Sequence, residues 1–299
     1  MAIHWKGVMP AITTAFNQDL SIDHGFVAEH VRWLVSEGCT GIVTPGSLGE
    51  GNTLMFEERR ALWETTVKAL GDRAPVVAAI SALGTAEAVD QARAAADQGC
   101  QGLMVLPPYV YQGDWREMKS HVAAVFKATR LSCMLYNNPV SYGTDFLPEQ
   151  IRELAEEHEN FHSVKESSTD ARRVTAIRAI LGDRLAVLVG VDDAIVEGVA
   201  VGAVGWIAGL ANALPKESVK LFDYAFQGEM EKALSLYNWF LPLLRLDTLP
   251  KLVQLIKLTQ QEVGQGSARV RPPRLEVVGR ELEQTLALIR HALEHRPSI

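Results

Sequence analysis

Short apolar runs alternate with amphipathic ones along most of the chain. Val8 to Phe16, Gly41 to Thr44, Val76 to Ser81, Gly102 to Pro107, Cys133 to Asn137, Phe161 to Lys165, Leu185 to Gly190 and Gly205 to Gly209 are apolar without a clean polar face. That is the pattern of strands buried on both sides of a parallel sheet. Between them apolar residues recur at helical spacing: Asp23 caps a run that continues to Val35, and further runs cover Phe56 to Leu70 and Thr85 to Asp97. Gly38-Cys39-Thr40-Gly41-Ile42, Gly99-Cys100-Gln101-Gly102-Leu103 and Gly202-Ala203-Val204-Gly205-Trp206 each end a helix and open a strand. Eight such units predict an α/β protein, a (β/α)8 TIM barrel over residues 1–226. A doubly wound sheet would carry a glycine fingerprint after its first strand, where this chain reads Thr13-Thr14-Ala15-Phe16.

After Gln227 the strand pattern stops and three helical runs follow, near Glu229 to Leu244, Leu249 to Val263 and Gly279 to Glu294. Leu236, Trp239, Phe240, Leu243, Leu252, Leu255 and Ile256 make them too apolar for a solvated tail. Residues 227–299 therefore read as a C-terminal three-helix appendage packed on the barrel or on another subunit.

Composition narrows the function. A chain of 299 residues with 47% hydrophobic content can bury a large core, and a net charge of −7 leaves no basic stripe to replace phosphate counterions, which argues against nucleic acid. Cys39, Cys100 and Cys133 are odd in number and widely spaced, so neither a disulfide framework nor a zinc knuckle is suggested. The opening Met1-Ala2-Ile3-His4-Trp5-Lys6-Gly7 lacks the features of a leader, and no apolar run approaches the ~20 residues of a membrane span. A cytoplasmic protein is the expectation.

The chemistry centres on Lys165. By strand alternation Phe161, Ser163 and Lys165 share one face, while His162, Val164 and Glu166 share the other, so Glu166 points away from the lysine. A lysine aimed inward at the C-terminal end of a barrel strand is a candidate Schiff-base nucleophile; a solvated strand-end lysine is the ordinary alternative. The loop Gly46-Ser47-Leu48-Gly49-Glu50 would share that rim, where glycine-loop amides and the Ser47 hydroxyl can hold a carboxylate. Tyr136, ending the fifth run, can move protons if its hydroxyl reaches the centre. No metal is assigned: His158 and His162 straddle a loop, and His291 and His295 lie one helical turn apart without convergent carboxylates. Asp192-Asp193 suits helix capping at least as well as metal binding.

Gly46-Ser47-Leu48-Gly49-Glu50, Leu135-Tyr136-Asn137-Asn138-Pro139, Val164-Lys165-Glu166 and Gly190-Val191-Asp192-Asp193 together resemble the class I aldolase superfamily that includes dihydrodipicolinate synthase and N-acetylneuraminate lyase. The resemblance covers the whole chain. It implies a homotetramer without cofactor, with Lys165 as Schiff-base former and Tyr136 as proton shuttle. Gly46 and Ser47 would clamp an α-keto carboxylate, and Leu48 and Ile207 would line the pocket. Two departures stand out. The synthase carries a second hydroxyl where this chain has Leu48, and a tyrosine donated across a subunit interface where it has Val110, which implies a broken proton relay. It also carries an arginine clamp where this chain reads Val140-Ser141-Tyr142-Gly143. Tyr109 and Tyr111 flank Val110, and either is open as a site residue. The opening Ile3-His4-Trp5-Lys6-Gly7, the stretch Trp239 to Leu244 and Arg271-Pro272-Pro273-Arg274 look like the branch that deaminates Δ1-pyrroline-4-hydroxy-2-carboxylate. That branch implies a cyclic imino acid substrate. A small keto acid such as a 2-keto-3-deoxypentonate would undergo the same elimination, and a keto-acid sensor without catalysis is the reading from another class.

Overall fold

The computed structural model describes residues 3–299, so Met1 and Ala2 of the stretch read for a leader lie outside it. The strands are β1 (Gly7–Pro10), β2 (Ile42–Thr44), β3 (Val76–Ile80), β4 (Gly102–Val105), β5 (Ser132–Asn137), β6 (Phe161–Glu166), β7 (Ala186–Val189) and β8 (Gly205–Ala208). They are hydrogen-bonded in parallel in the order β1-β8-β7-β6-β5-β4-β3-β2. The remaining seam is closed where Thr40 N–H donates to Val8 O (2.8 Å) and Ile12 N–H to Val43 O (3.0 Å). Helices α1 (His24–Ser36), α2 (Phe56–Leu70), α3 (Thr85–Asp97), α4 (Trp115–Lys127), α5 (Pro139–Tyr142), α6 (Pro148–Glu157), α7 (Arg172–Leu181) and α8 (Ile195–Ala200) lie between successive strands, and α9 (Pro215–Phe226) follows β8. This is a (β/α)8 TIM barrel. The C-terminal part follows as α10 (Met230–Leu244), α11 (Leu252–Glu262) and α12 (Gly279–Glu294).

Strand periodicity divides the apolar residues into two layers. Met9, Val43, Val77, Met104, Met134, Leu188 and Ile207 point into the barrel, and Trp5 joins them. The Trp5 indole donates to Ser132 Oγ (2.8 Å) at the start of β5, so Trp5 fills the N-terminal end of the barrel. The outer layer packs strands against helices and runs without a break into Phe240, Ile256 and Ile289 of the last three helices. Among the described residues no helix is long and apolar enough to cross a membrane.

Two local readings need correction. The first strand ends at Pro10 rather than Phe16. Beyond it the Thr13 amide donates to Asn212 Oδ1 and the Thr14 hydroxyl to Gly49 O, so contacts with the loops after β8 and β2 replace the ladder. In β6 the register shifts: Phe161 pairs with Cys133 but Ser163 with Met134, leaving His162 unpaired. Phe161 therefore lies in the outer layer against the Phe126 ring (5.0 Å), opposite to Ser163 and Lys165.

Candidate active site

The C-terminal mouth of the barrel holds a cavity of about 410 Å³, and Gly46, Ser47, Leu48, Tyr136, Lys165 and Ile207 all line it. The structure thus brings together the lysine, the phenol and the loop residues that the sequence assigned to the site. Lys165 and Tyr136 are opposite each other across β5 and β6. The Lys165 ammonium lies over the Tyr136 ring, 4.0 Å from its centroid. The Tyr136 hydroxyl accepts from Asn138 Nδ2 (3.0 Å). Glu166 faces away, as alternation requires, and accepts from Asn137 Nδ2 (3.0 Å) and the Ser168 amide (2.7 Å). Burial raises the Glu166 pKa, and these hydrogen bonds oppose the shift.

Space for the lysine depends on Gly190 at the end of β7. A Cβ there would sit 2.5 Å from Lys165 Cε and 2.6 Å from its Cγ, and closer still to Ser167 Oγ. The glycines of the β2 loop have a similar origin: a Cβ at Gly49 would lie 2.8 Å from Ile12 O, and one at Gly51 2.6 Å from Pro45 O. Among the described residues the Ser47 and Leu48 amides find no protein acceptor, which leaves them free for an anion at the mouth. Glu50 holds this loop from behind. It is fully buried, bonded to the equally buried Lys257 of α11 (2.5 Å) and to the Arg271 amide (2.9 Å).

Residues to which the sequence reading gave no role complete the cavity. Tyr142, at the end of α5, is hydrogen-bonded through its hydroxyl to Ser47 Oγ. Its ring meets Tyr136 edge-on (centroids 5.6 Å, 84°) and Tyr109 at 5.7 Å. Burial raises its pKa well above the usual phenol value; Tyr136 and Tyr109 add to this, and the Ser47 hydrogen bond opposes it. Asp247, in the turn after α10, faces the same space. Burial raises its carboxyl to about 6 although Lys165 favours the charged form. Tyr142 could have been noticed as a phenol six residues after Tyr136; Asp247 could have been noticed only as an acid in an apolar turn.

The positions of the two departures from the synthase pattern are visible in the structure. Leu48 is buried in the wall and Val110 is 92% exposed with φ of 72°; both are hydrocarbon side chains, and the hydroxyl that contacts Ser47 is that of Tyr142 of the same chain. Tyr109 packs on Tyr142, whereas Tyr111 is exposed. The Ser141 amide is capped by Asn138 Oδ1 (3.0 Å). Among the described residues Lys165 and Asp247 are the only charged side chains that line the cavity.

Other expectations fall outside the mouth or change role. Asp192 neither caps α8 nor joins a metal cluster: it is fully buried and accepts from Trp206 Nε1 (3.0 Å), Gly209 N (2.9 Å) and Leu210 N (2.6 Å). It thereby ties the β7 loop to the β8 loop. The pair His291 and His295 does have a convergent carboxylate, Glu294, contrary to the sequence reading; all three are exposed on or beside the end of α12, and His295 Nδ1 bonds His291 O (2.8 Å). The three cysteines are free and buried, and burial raises Cys39 and Cys100 to about 12.

A buried lysine beside a phenol at the C-terminal mouth of a (β/α)8 barrel has the parts a Schiff-base enzyme needs. The chain belongs to the dihydrodipicolinate synthetase family, whose model matches residues 4–292. It is 34% identical over 242 residues to the 4-hydroxy-tetrahydrodipicolinate synthase of Geotalea daltonii, 81% of this chain and 82% of that one. It is 30% identical over 289 residues to the enzyme of that name from Agrobacterium fabrum, 96% and 98% of the two chains. The crystal structure of a chloride-inhibited dihydrodipicolinate synthase from Acinetobacter baumannii, complexed with pyruvate, superposes with a TM-score of 0.91 at 27% identity, covering 97% of this chain and 98% of that one. This chain is accordingly an enzyme of the class I aldolase-type family whose members act on small keto acids.

Proposed function

We propose that this enzyme opens and deaminates Δ1-pyrroline-4-hydroxy-2-carboxylate to 2-oxoglutarate semialdehyde and ammonia. Lys165 attacks the ring imine carbon, and the ring C–N bond breaks to leave a lysine-bound iminium with a free terminal amine. The iminium acidifies the adjacent carbon; loss of that proton and departure of the 4-hydroxyl as water follow. Tautomerisation places a C=N bond at the terminal carbon. Hydrolysis there gives the aldehyde and ammonia, and hydrolysis of the lysine adduct gives the ketone, so one water is consumed overall. Tyr136 moves the protons, and the Gly46–Ser47 loop holds the carboxylate.

The observation that carries this reading is the charge of the cavity: one lysine, one carboxylate and no second cation among the described residues. Lys165 is committed to the covalent bond, so a second substrate carboxylate would stand unpaired near Asp247. A buried charge without its partner costs about 2–5 kcal/mol. Aspartate semialdehyde carries such a carboxylate outside the pyruvate unit, whereas the pyrroline carries one carboxylate beside the reacting carbon. Asp247 offers an acceptor for the amine and hydroxyl that the ring opening exposes. The relatives named above are synthases, and a condensation like theirs is the second reading.

Two measurements test the proposal. Borohydride reduction in the presence of pyruvate should add mass to the peptide containing Lys165, and Lys165→Ala should abolish the adduct. On one preparation, kcat/KM for the hydroxy-pyrroline carboxylate should exceed that for a 2-keto-3-deoxypentonate and for pyruvate with aspartate semialdehyde. A condensation as fast as the deamination would overturn the substrate assignment and leave the lysine chemistry standing.

A further inference from the structure

We infer that Tyr142 completes, within one chain, a hydroxyl relay from Ser47 through Tyr142 to Tyr136, and is a positioning residue for proton transfer at the Lys165 adduct. The inference rests on the Schiff-base reading of Lys165 and goes beyond it. Its basis is geometric. The Tyr142 hydroxyl is bonded to Ser47 Oγ, its ring abuts Tyr136 at 5.6 Å, and the Tyr136 ring lies 4.0 Å beneath the Lys165 amine. Ser47 is half-buried at the mouth, so the outer end of the chain meets solvent while its inner end lies at the lysine.

The position of Tyr142 is set by its short helix. Pro139 at the first turn fixes the backbone, and Asn138 caps it by accepting from the Ser141 amide. Gly143 follows in the left-handed conformation (φ 71°) and ends the helix. The phenol is thus carried on a rigid turn only six residues from Tyr136, and no second subunit is needed to supply it.

Schiff-base formation from a keto acid requires proton traffic of this kind. The neutral lysine amine attacks the carbonyl carbon, a C–N bond forms, and the carbonyl oxygen takes the proton lost from nitrogen. A second proton must then reach that oxygen for the C–O bond to break, releasing water and leaving the iminium. Tyr136 delivers this proton; its oxygen recovers one from Tyr142, Tyr142 from Ser47, and Ser47 from water at the mouth. The sum is one proton taken up and one water released.

The test is the rate of borohydride trapping with pyruvate, measured against pyruvate concentration, for wild type, Tyr142→Phe, Ser47→Ala and the double variant. General acid–base assistance typically contributes about 10²–10⁴-fold. Tyr142→Phe keeps the ring and its packing, so the limiting trapping rate should fall at least about 100-fold with the half-saturating concentration little changed. Ser47→Ala should lower the limiting rate similarly, and the double variant should be no slower than the worse single one, because the hydroxyls act as a unit. A limiting rate in Tyr142→Phe within about 3-fold of wild type, a loss confined to the half-saturating concentration, or losses that multiply in the double variant would each overturn the relay. If Tyr142→Phe does not fold, the Ser47→Ala limiting rate alone decides between loss and no loss. Absence of trapping in wild type would instead strike the reading of Lys165.

Discussion

Gly190 gives the sharpest check on the placement of the lysine. Replacing it with alanine adds one methyl group, 2.5 Å from Lys165 Cε and 2.6 Å from Lys165 Cγ, where ordinary contact begins at 3.4 Å. The lysine stem must therefore move by about 1 Å, because the alternative is movement of β7, which is paired to β6 and β8 on both sides. A 1 Å misplacement of a reacting group can cost about 10²-fold in rate. Overpacking typically costs about 1–3 kcal/mol, and the free end of a lysine can absorb part of it by turning into the cavity. Gly190→Ala should thus remain folded, with a modestly lower melting temperature and a trapping rate with pyruvate reduced about 100-fold. Gly84→Ala, where an added Cβ meets nothing within 4 Å, is the control and should change neither. A Gly190→Ala enzyme that traps pyruvate within about 3-fold of wild type would refute the assigned path of the Lys165 side chain.

Further outcomes follow from other parts of the structure. Lys257→Met strands the fully buried Glu50 and should destabilise the protein by about 3–5 kcal/mol in denaturant titration, whereas the double change with Glu50→Gln should recover much of the loss; equal stability of single and double variants would contradict this. Burial holds His30 at about 4 rather than its ordinary 6.5, so the unfolded chain takes up a proton that the folded one resists. Stability should fall as pH drops from 6.5 to about 4, by about 3 kcal/mol at completion from this residue, and His30→Gln should flatten that part of a pH series of melts. Leu83, Val110 and Val140 are 69%, 92% and 71% exposed, and light scattering at micromolar concentration should find an oligomer, a tetramer by the family resemblance; a monomer would refute it. Tyr136→Phe should slow trapping by two orders of magnitude or more while leaving the melting temperature within a few degrees.

Much of the barrel was legible because its elements are bounded by chemistry that acts locally. Asp23 accepts from the Phe26 amide and starts α1, Gly71 and Gly182 stop α2 and α7 in conformations that suit glycine, and helices α2 and α3 span the residues their periodicity marks. Lys165 and Tyr136 could be placed together because strand alternation leaves one inward choice near a strand end. Alternation failed at His162, where one extra residue reverses the face of Phe161. It also says nothing about side chains that arrive from turns. Tyr142 comes from a four-residue helix and Asp247 from a turn between two C-terminal helices, and no period connects either to Lys165. Asp192 was misjudged for the same reason: its partners Trp206, Gly209 and Leu210 are local only after β7 and β8 have paired.

The tryptophan at the foot of the barrel has a consequence for traffic. With Trp5 packed among the inward side chains and pinned to Ser132, the foot of the barrel is filled among the described residues, and the cavity around Lys165 lies at the opposite end. Substrate and product exchanged at that end pass the rim that Ser47 and Tyr142 help to line. On the Schiff-base reading proposed above, a species bonded to Lys165 sits deep in that cavity, so small fragments released earlier leave over it and it is the last to depart. On the same reading the molecule that leaves last occupies the room the next substrate needs, and its inhibition of turnover should be competitive.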